Sequence, residues 1–331
     1  MEFTAGGRLE IRITPSDVGK RVSVRRVERG LGGAPSFTDT VGVLTSWDTG
    51  VVTITRRTGE RVRIAESALV AGKVVPAAPA RRRGPAASFG ELARVCARAW
   101  PPLESEPLGE WTLRAAGGFT RRANSVLPLG DPGIPLGEAL ARVTSWYARR
   151  GLPAYVQAAT GAEGTDELLC AELADRGWDR EVSAEVRTGG LAALADVEDR
   201  VLAVAGEVRL TRAPDEEWLA RYGRVEDPQV ARRVLTAGPS VWFAALPGRA
   251  IGRLAVDGRW AGFAAVEVDP EHRRQGHARA VMAALALRAL EEGASAAWLQ
   301  VEGGNAAARA LYEAMGFSVH HSYHHYRQVA A

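Results

Sequence analysis

Residues 168–187, LLCAELADRGWDREVSAEVR, and residues 308–327, ARALYEAMGFSVHHSYHHYR, share one order of features. Each has a stretch with helical spacing, a glycine before an aromatic residue, and then a strand-length run, with Gly177 corresponding to Gly316. Upstream of each lies a further helix, LGEALARVTSWYARRGL or ARAVMAALALRALEEGA, followed by a short strand, PAYVQ or AAWLQV. A duplicated helix–strand–helix–strand unit cannot bury its apolar faces alone, so the copies are expected to share a sheet with helices packed on it. The expected class is α/β (α+β), with a mixed, mostly antiparallel sheet.

The repeat does not reach the N-terminus. Residues 18–70 alternate polar and apolar side chains in short runs, VGKRVSVRRV, TVGVLTSW, GVVTITRR and RVRIAES, broken by turn signals such as Asp48–Gly50 and Thr58–Gly59. They predict a small, SH3-like β-barrel of roughly five strands. PAAPARRRGPAAS then has no periodicity and reads as a linker. The expected organisation is a barrel over 1–75, a linker over 76–88, a first copy over 89–190 and a second over 205–331. A chain of 331 residues with 46% hydrophobic content suits two or three such bodies.

Residues 1–90 carry 15 Lys and Arg against 8 Asp and Glu, a net of +7, whereas the rest carries 27 against 31, a net of −4. A basic N-terminal segment is compatible with nucleic acid or an acidic protein as partner, although no evident row of exposed aromatics accompanies it. Cys96 and Cys170 lack metal or scaffold spacing. No apolar run approaches 18 residues and no leader pattern opens the chain, so no membrane partner and a cytoplasmic location are expected.

The segment HRRQGHARAVMAAL, 272–285, raises the question of chemistry. The run 261–268, AGFAAVEV, suits a central strand, Asp269–Pro270 ends it, and Ala280, Ala283, Ala284, Leu287 and Leu290 give the following helix an apolar face. Arg273, Arg274 and His277 thus gather at the positive end of a helix dipole, where cations are disfavoured unless an anion lies among them. Unpaired N–H groups at such a terminus, with Gly276 admitting close approach to the main chain, suit a pyrophosphate. The bland alternative is a solvated, arginine-rich turn.

Arg273-Arg274-Gln275-Gly276-His277-Ala278 matches the (Q/R)xxGx(G/A) loop of the GNAT acetyltransferase superfamily, and the downstream WLQV strand, Asn305, Ala308 and LYEAMGF agree with it. The chain therefore resembles a tandem GNAT protein over this region. The resemblance extends over roughly 205–328 and implies acetyl-CoA as co-substrate, an amine acceptor and N-acetyl transfer by direct attack on the thioester. It implies that Val266, Glu267 and Val268 line the pantetheine, that Arg273, Arg274, Gln275, Gly276, His277, Ala278 and Arg279 hold the pyrophosphate, and that Asn305 and Ala308 touch the cofactor. Tyr312 matches the tyrosine that protonates the departing thiolate and also reads as a half-buried aromatic; Asn305 reads equally as a helix cap.

The position of the glutamate base in many relatives falls on Gly262. Glu302, just after the fifth strand, is the first substitute; Glu267, of opposite strand parity, is the second; a water relay is the third. In the first copy Leu173 replaces the tyrosine and GDPGIPLGEAL carries no cations, so that copy is expected to bind no CoA and to complete the acceptor cleft. There, Arg121, Arg122 and Asn124 sit on an expected strand, and Arg122 and Asn124, with His321 and Tyr323 on the last strand, are candidate acceptor contacts; the alternative for the Arg121/Arg122 pair is a solvated or ion-paired surface feature. His320 and His324 fall on one face of that strand and His321 and His325 on the other, so no metal is expected. The competing function is an acyl-CoA-binding or scaffold protein with the basic barrel as its recognition module. The oligomeric state is left open.

Overall fold

The structure is a computed structural model and describes residues 10–29, 35–76 and 84–328. The chain divides into two compact units, one of residues 1–79 with 158–178, the other of 80–157 with 179–331. The division departs from the expected linear segmentation because 158–178, inside the first copy, joins the N-terminal unit.

The first unit contains β1 (Arg21–Arg29), β2 (Pro35–Asp48), β3 (Val51–Thr55), β4 (Arg61–Ala65) and β5 (Leu69–Val74) in the order β4-β3-β2-β1-β5. All neighbours are antiparallel, and inward-pointing Val22, Val24, Leu44, Val52, Ile54, Ile64 and Leu69 form its core. The five strands expected are present, but among the described residues edge strands β4 and β5 do not pair, so closure into a barrel is not seen.

The chain continues with α1 (Phe89–Arg98), β6 (Glu104–Leu108), β7 (Trp111–Ala115), β8 (Leu127–Pro128), α2 (Leu136–Ala148) and β9 (Tyr155–Thr160). After α3 (Glu167–Asp175) come β10 (Trp178–Gly190), α4 (Ala192–Ala195), α5 (Asp199–Gly206), β11 (Arg209–Thr211), α6 (Glu216–Tyr222) and α7 (Pro228–Thr236). The rest is β12 (Ser240–Leu246), β13 (Ala250–Asp257), β14 (Trp260–Val268), α8 (His277–Glu291), β15 (Ala296–Glu302), α9 (Ala306–Ala314) and β16 (Ser318–Gln328). The repeat is visible element by element: α2–β9–α3–β10 matches α8–β15–α9–β16. Gly177 and Gly316 both end their helices at positive φ, 77° and 88°, where an L side chain is strained.

One sheet runs through both copies in the order β11-β12-β13-β14-β15-β10-β16-β9. The copies have traded their final strands: β10 lies beside β15, and β16 lies between β10 and β9. β10 pairs antiparallel with β15 from Ala184↔Glu302 to Gly190↔Ala296.

Alanine-rich α8 packs on this sheet through Val281, Met282, Leu285, Ala286 and Ala289. Its Ala280, Ala283 and Ala284 meet Ala205 of α5. The small side chains allow close approach, since a Cβ added at Gly252 of β13 would lie 2.6 Å from Val281. Leu287, expected on the buried face, is instead exposed, because the sheet and α5 take the two flanks of α8 and leave it outward.

On β16, His321, Tyr323 and His325 are buried on one face, while His324 turns to the other and its Nδ1 lies 2.8 Å from Ser183 Oγ. Burial, and secondarily Arg180, push the His324 imidazole down to about 3. Its folded value is depressed, so the unfolded chain takes up the proton first as pH falls through about 6.5, and stability is lost from there down towards pH 3. Acidifying from pH 7 to 5 is therefore expected to cost about 2 kcal/mol at this group. Thermal unfolding at both pH values should show that loss reduced in His324→Gln; an unchanged pH slope would contradict it.

Candidate functional site

The site begins where β14 and β15 part. They pair in parallel only from Trp260↔Ala296 to Phe263↔Leu299. Beyond Phe263, Ala265 is held at φ 51°, and the ladder with β13 slips so that Ala264 faces Arg253 while Glu267 faces Ile251. Two residues of β14 therefore stand against Gly252, a bulge that bends the strand away from β15. The main-chain groups of 264–268 on that edge gain no β15 partner, which leaves donors and acceptors for an extended ligand.

The bulge also reverses side-chain parity. Val266 and Val268 join Ala261 and Phe263 against the α8 core. Glu267 comes to the face of Gly262, and the parity objection against it, which assumed an unbroken strand, is corrected. At Gly262 no larger side chain fits, because an added Cβ would lie 2.3 Å from Trp298.

The loop after β14 is fixed at its start. The Asp269 carboxylate accepts from Arg221 at 2.8 Å and from the Glu271 amide at 3.0 Å, and the Arg221 hydrogen bond holds it below its usual range. Arg274 has φ 61° and Gly276, the residue before α8, has φ 86°. An added Cβ at Gly276 would meet nothing within 4 Å, so the glycine is required by backbone conformation and its surroundings are open. Among the described residues no side chain caps α8, and its first turn contains no acid. The N–H groups of His277, Ala278 and Arg279 thus stand at an uncovered, positively polarised helix end.

Arg273, Arg274 and Gln275 are exposed around that end, and among the described residues Arg273, Arg274 and Arg279 have no carboxylate partner. His277 differs. Its ring is buried beside His272, ring centres 5.9 Å apart, and burial followed by Arg249 and His272 pushes its pKa down, so only its main chain is offered to an anion. The expectation that its side chain supplies positive charge is corrected: as the first residue of α8 it points into the protein.

On the other side of the split, Asn305 caps α9, its Oδ1 accepting from Ala308 N at 3.0 Å, and Ala308 is half-buried. Tyr312 packs edge-on to Phe317, centres 6.0 Å apart. Burial and then the nearby Glu267 carboxylate push the Tyr312 phenol up to about 12, so it stays protonated at any physiological pH. Glu267 itself pairs with Arg224 at 3.0 Å.

Arg224 leads to a cavity of about 140 Å³ lined by Phe119, Thr120, Arg121, Arg122, Val182, Ala184, Tyr222, Arg224, Glu302, Tyr323 and His325. Of the expected acceptor residues, Arg122 and Tyr323 meet here, joined by a 3.1 Å hydrogen bond from Arg122 Nε to the Tyr323 hydroxyl. Glu302 is in the same wall. Asn124 is not. The segment expected to be a strand is a 3₁₀ turn, Arg121–Ala123, and Asn124 closes it by accepting from Ala116 and Gly118 amides and donating to Phe119 and Thr120 carbonyls. His321 also lies outside the lining, packed edge-on to Phe89.

Tyr222 and Arg224 were not anticipated here. Strand alternation puts His325 on the Tyr323 face, but the covering loops carry no comparable sequence signal. Among the described residues no three His, Cys, Asp or Glu side chains converge as metal ligands, and no helix is long and apolar enough to cross a membrane.

Residues 87–326 match the family described as "Probable histone acetyltransferase Rv0428c C-terminal". The chain is 30% identical over 312 residues to the probable histone acetyltransferase Rv0428c of Mycobacterium tuberculosis, covering 92% of this chain and 93% of that one. It is 27% identical over 256 residues to the uncharacterized N-acetyltransferase YobR of Bacillus subtilis, covering 72% and 97%. A GCN5-related N-acetyltransferase from Kribbella flavida superposes with a TM-score of 0.55 at 16% identity, over 74% of this chain and 98% of that one, a likeness of fold.

The open α8 terminus sets a test by charge. Gly276→Asp and Gly276→Asn impose the same backbone strain, but only Asp brings a carboxylate against a pyrophosphate. Calorimetric titration should show acetyl-CoA affinity reduced roughly 100-fold more by Asp than by Asn. Both variants should melt within a few degrees of each other; equal affinities in the two would contradict the site.

Proposed function

The chain belongs to the Rv0428c C-terminal family of acetyltransferases, is itself an acetyl-CoA-dependent N-acetyltransferase, and on that premise we propose a division of labour among its residues. The pyrophosphate of acetyl-CoA sits on the main-chain N–H groups opening α8, with Arg273, Arg274 and Arg279 around it. The pantetheine lies along the free edge of 264–268, and its carbonyl oxygen takes a main-chain N–H of that edge. The acceptor amine enters from the cavity. The observation that carries this reading is that the strand which parts from β15 runs directly into the uncapped helix end, and that Tyr312 feels the charge of Glu267 on that same strand.

Glu302 receives the proton released as the amine nitrogen bonds to the thioester carbon, directly or through one water. It lines the cavity and, among the described residues, no cation holds it, whereas Glu267 is held by Arg224. Glu267 acts at the other end, its charge helping to keep Tyr312 protonated. As the C–S bond breaks, Tyr312 gives its phenolic proton to the thiolate and is reprotonated from solvent.

The alternative reading as a scaffold whose basic N-terminal segment binds nucleic acid or an acidic protein gains no comparable support. Arg12, Lys20, Arg25, Arg26, Arg56 and Arg61 are all held by carboxylates within their own unit.

Tyr312→Phe and Glu302→Gln are each expected to lower kcat about 100-fold while leaving the acetyl-CoA Kd within about twofold, measured by thiol release. Because the Tyr312 pKa is raised, its acid form persists well above pH 10, so any basic limb in the wild-type rate below that pH should be unmoved in Tyr312→Phe. An unchanged kcat in Tyr312→Phe would remove it from the mechanism.

A further inference from the structure

The cavity is small beside the roughly 300–1,000 Å³ of drug-sized ligand sites, and its charges are unequally matched. Arg121 is paired with Glu181, which also accepts from the Tyr155 hydroxyl at 2.8 Å, and Arg224 is paired with Glu267. Two lining charges are left over. Arg122 donates through Nε to Tyr323, and among the described residues its two terminal nitrogens have no acceptor. Glu302 is the remaining carboxylate in the wall.

The Arg122 guanidinium is fixed before any ligand arrives. Its turn is closed by the four hydrogen bonds of Asn124, its Cζ lies over the Trp100 ring 5.6 Å from the ring centre, and Tyr323, 2% exposed, holds Nε. A fork with both outer nitrogens open is the geometry that receives a carboxylate through two parallel hydrogen bonds.

A second observation comes from His325, 2% exposed in the same wall, whose ring nitrogens have no hydrogen-bond partner among the described residues. Burial, with Arg122, Arg114 and Arg121 behind it, keeps the ring neutral, so it offers one donor and one acceptor. Buried polar atoms without partners are rare in folded proteins and mark a place for a polar guest.

We infer that the acyl acceptor is a small zwitterionic amine, an amino acid or close analogue, whose carboxylate is received by Arg122 and whose amine lies towards Glu302. The inference rests on the acetyltransferase reading and specifies its acceptor class. His325 completes the shell with a neutral hydrogen bond. The same wall is unfavourable for a lysine-rich polypeptide, which brings cations to three lining arginines and meets one carboxylate.

The test is thiol release from acetyl-CoA with the twenty amino acids, their α-amides, a polyamine and a lysine-rich peptide, using the full chain. At least one free amino acid should be the best acceptor, with its amide at least tenfold lower in kcat/KM. Arg122→Gln should remove that preference, lowering kcat/KM for the acid at least tenfold more than for the amide while leaving the acetyl-CoA Kd unchanged, and Arg122→Lys should restore part of it. An amide, polyamine or peptide that matches or exceeds every free acid overturns the inference, as does an equal loss on acid and amide in Arg122→Gln.

If acetyl-CoA binds but no amino acid is acetylated, the acceptor class is wrong and the cofactor site stands. If acetyl-CoA does not bind, the cofactor site falls, and calorimetric titration of the amino acids into wild type and Arg122→Gln decides the cavity separately. Binding lost in the variant upholds the carboxylate site; no binding in wild type overturns it.

Discussion

At Ala265 two residues of β14 stand against one of β13, and the positive φ there turns the strand out of register with β15. An unbroken ladder would zip β14 to β15 along its whole length and leave no edge for an extended ligand. It would also turn Val266 and Val268 away from the α8 core and Glu267 towards it. The bulge exchanges these fates: the valines help close the core, and Glu267 arrives near Tyr312 with Arg224 holding it. A local backbone distortion of this kind costs free energy that the dense packing of α8 on β13 and β14 supplies.

The exchanged final strands extend the consequence across both copies. Because β10 lies beside β15, its Val182 and Ala184 reach the cavity next to Glu302; because β16 lies between β10 and β9, Tyr323 and His325 reach it from the other side. The loop carrying Arg121 and Arg122 belongs to the first copy. That copy has Leu173 where the second has Tyr312, while its strands line the cavity.

Much of this was legible in the sequence because it depends on local rules. The two αL glycines after α3 and α9, the strand–loop–helix around Gly276 and the Asn305 cap are set by residues within a few positions of one another. What was not legible depends on geometry without a local signature. Nothing in AGFAAVEV announces a bulge, so the parity of Glu267 was misjudged. The segment holding Arg121 and Arg122 has strand-like composition, but Asn124 finds four main-chain partners in a turn, which outweighs a weak β preference. Leu287 has helical spacing suited to burial, and only the placement of α5 on one flank of α8 exposes it.

The charge around the cavity bears on the chemistry as well as on recognition. Arg114 and Arg253 are buried with no carboxylate partner among the described residues, held by carbonyl and side-chain oxygens such as Ser125 O, Leu235 O and Ala99 O, and burial lowers each only to about 10, so both remain cations. Their fields reach His325 and Tyr222 respectively, adding to those of Arg122 and its neighbours. An ammonium in this surrounding is destabilised relative to the neutral amine, which is the form that attacks. Under the proposed mechanism Glu302, alone among the lining side chains in being acidic, both draws the ammonium in and accepts the proton that the surrounding arginines drive off.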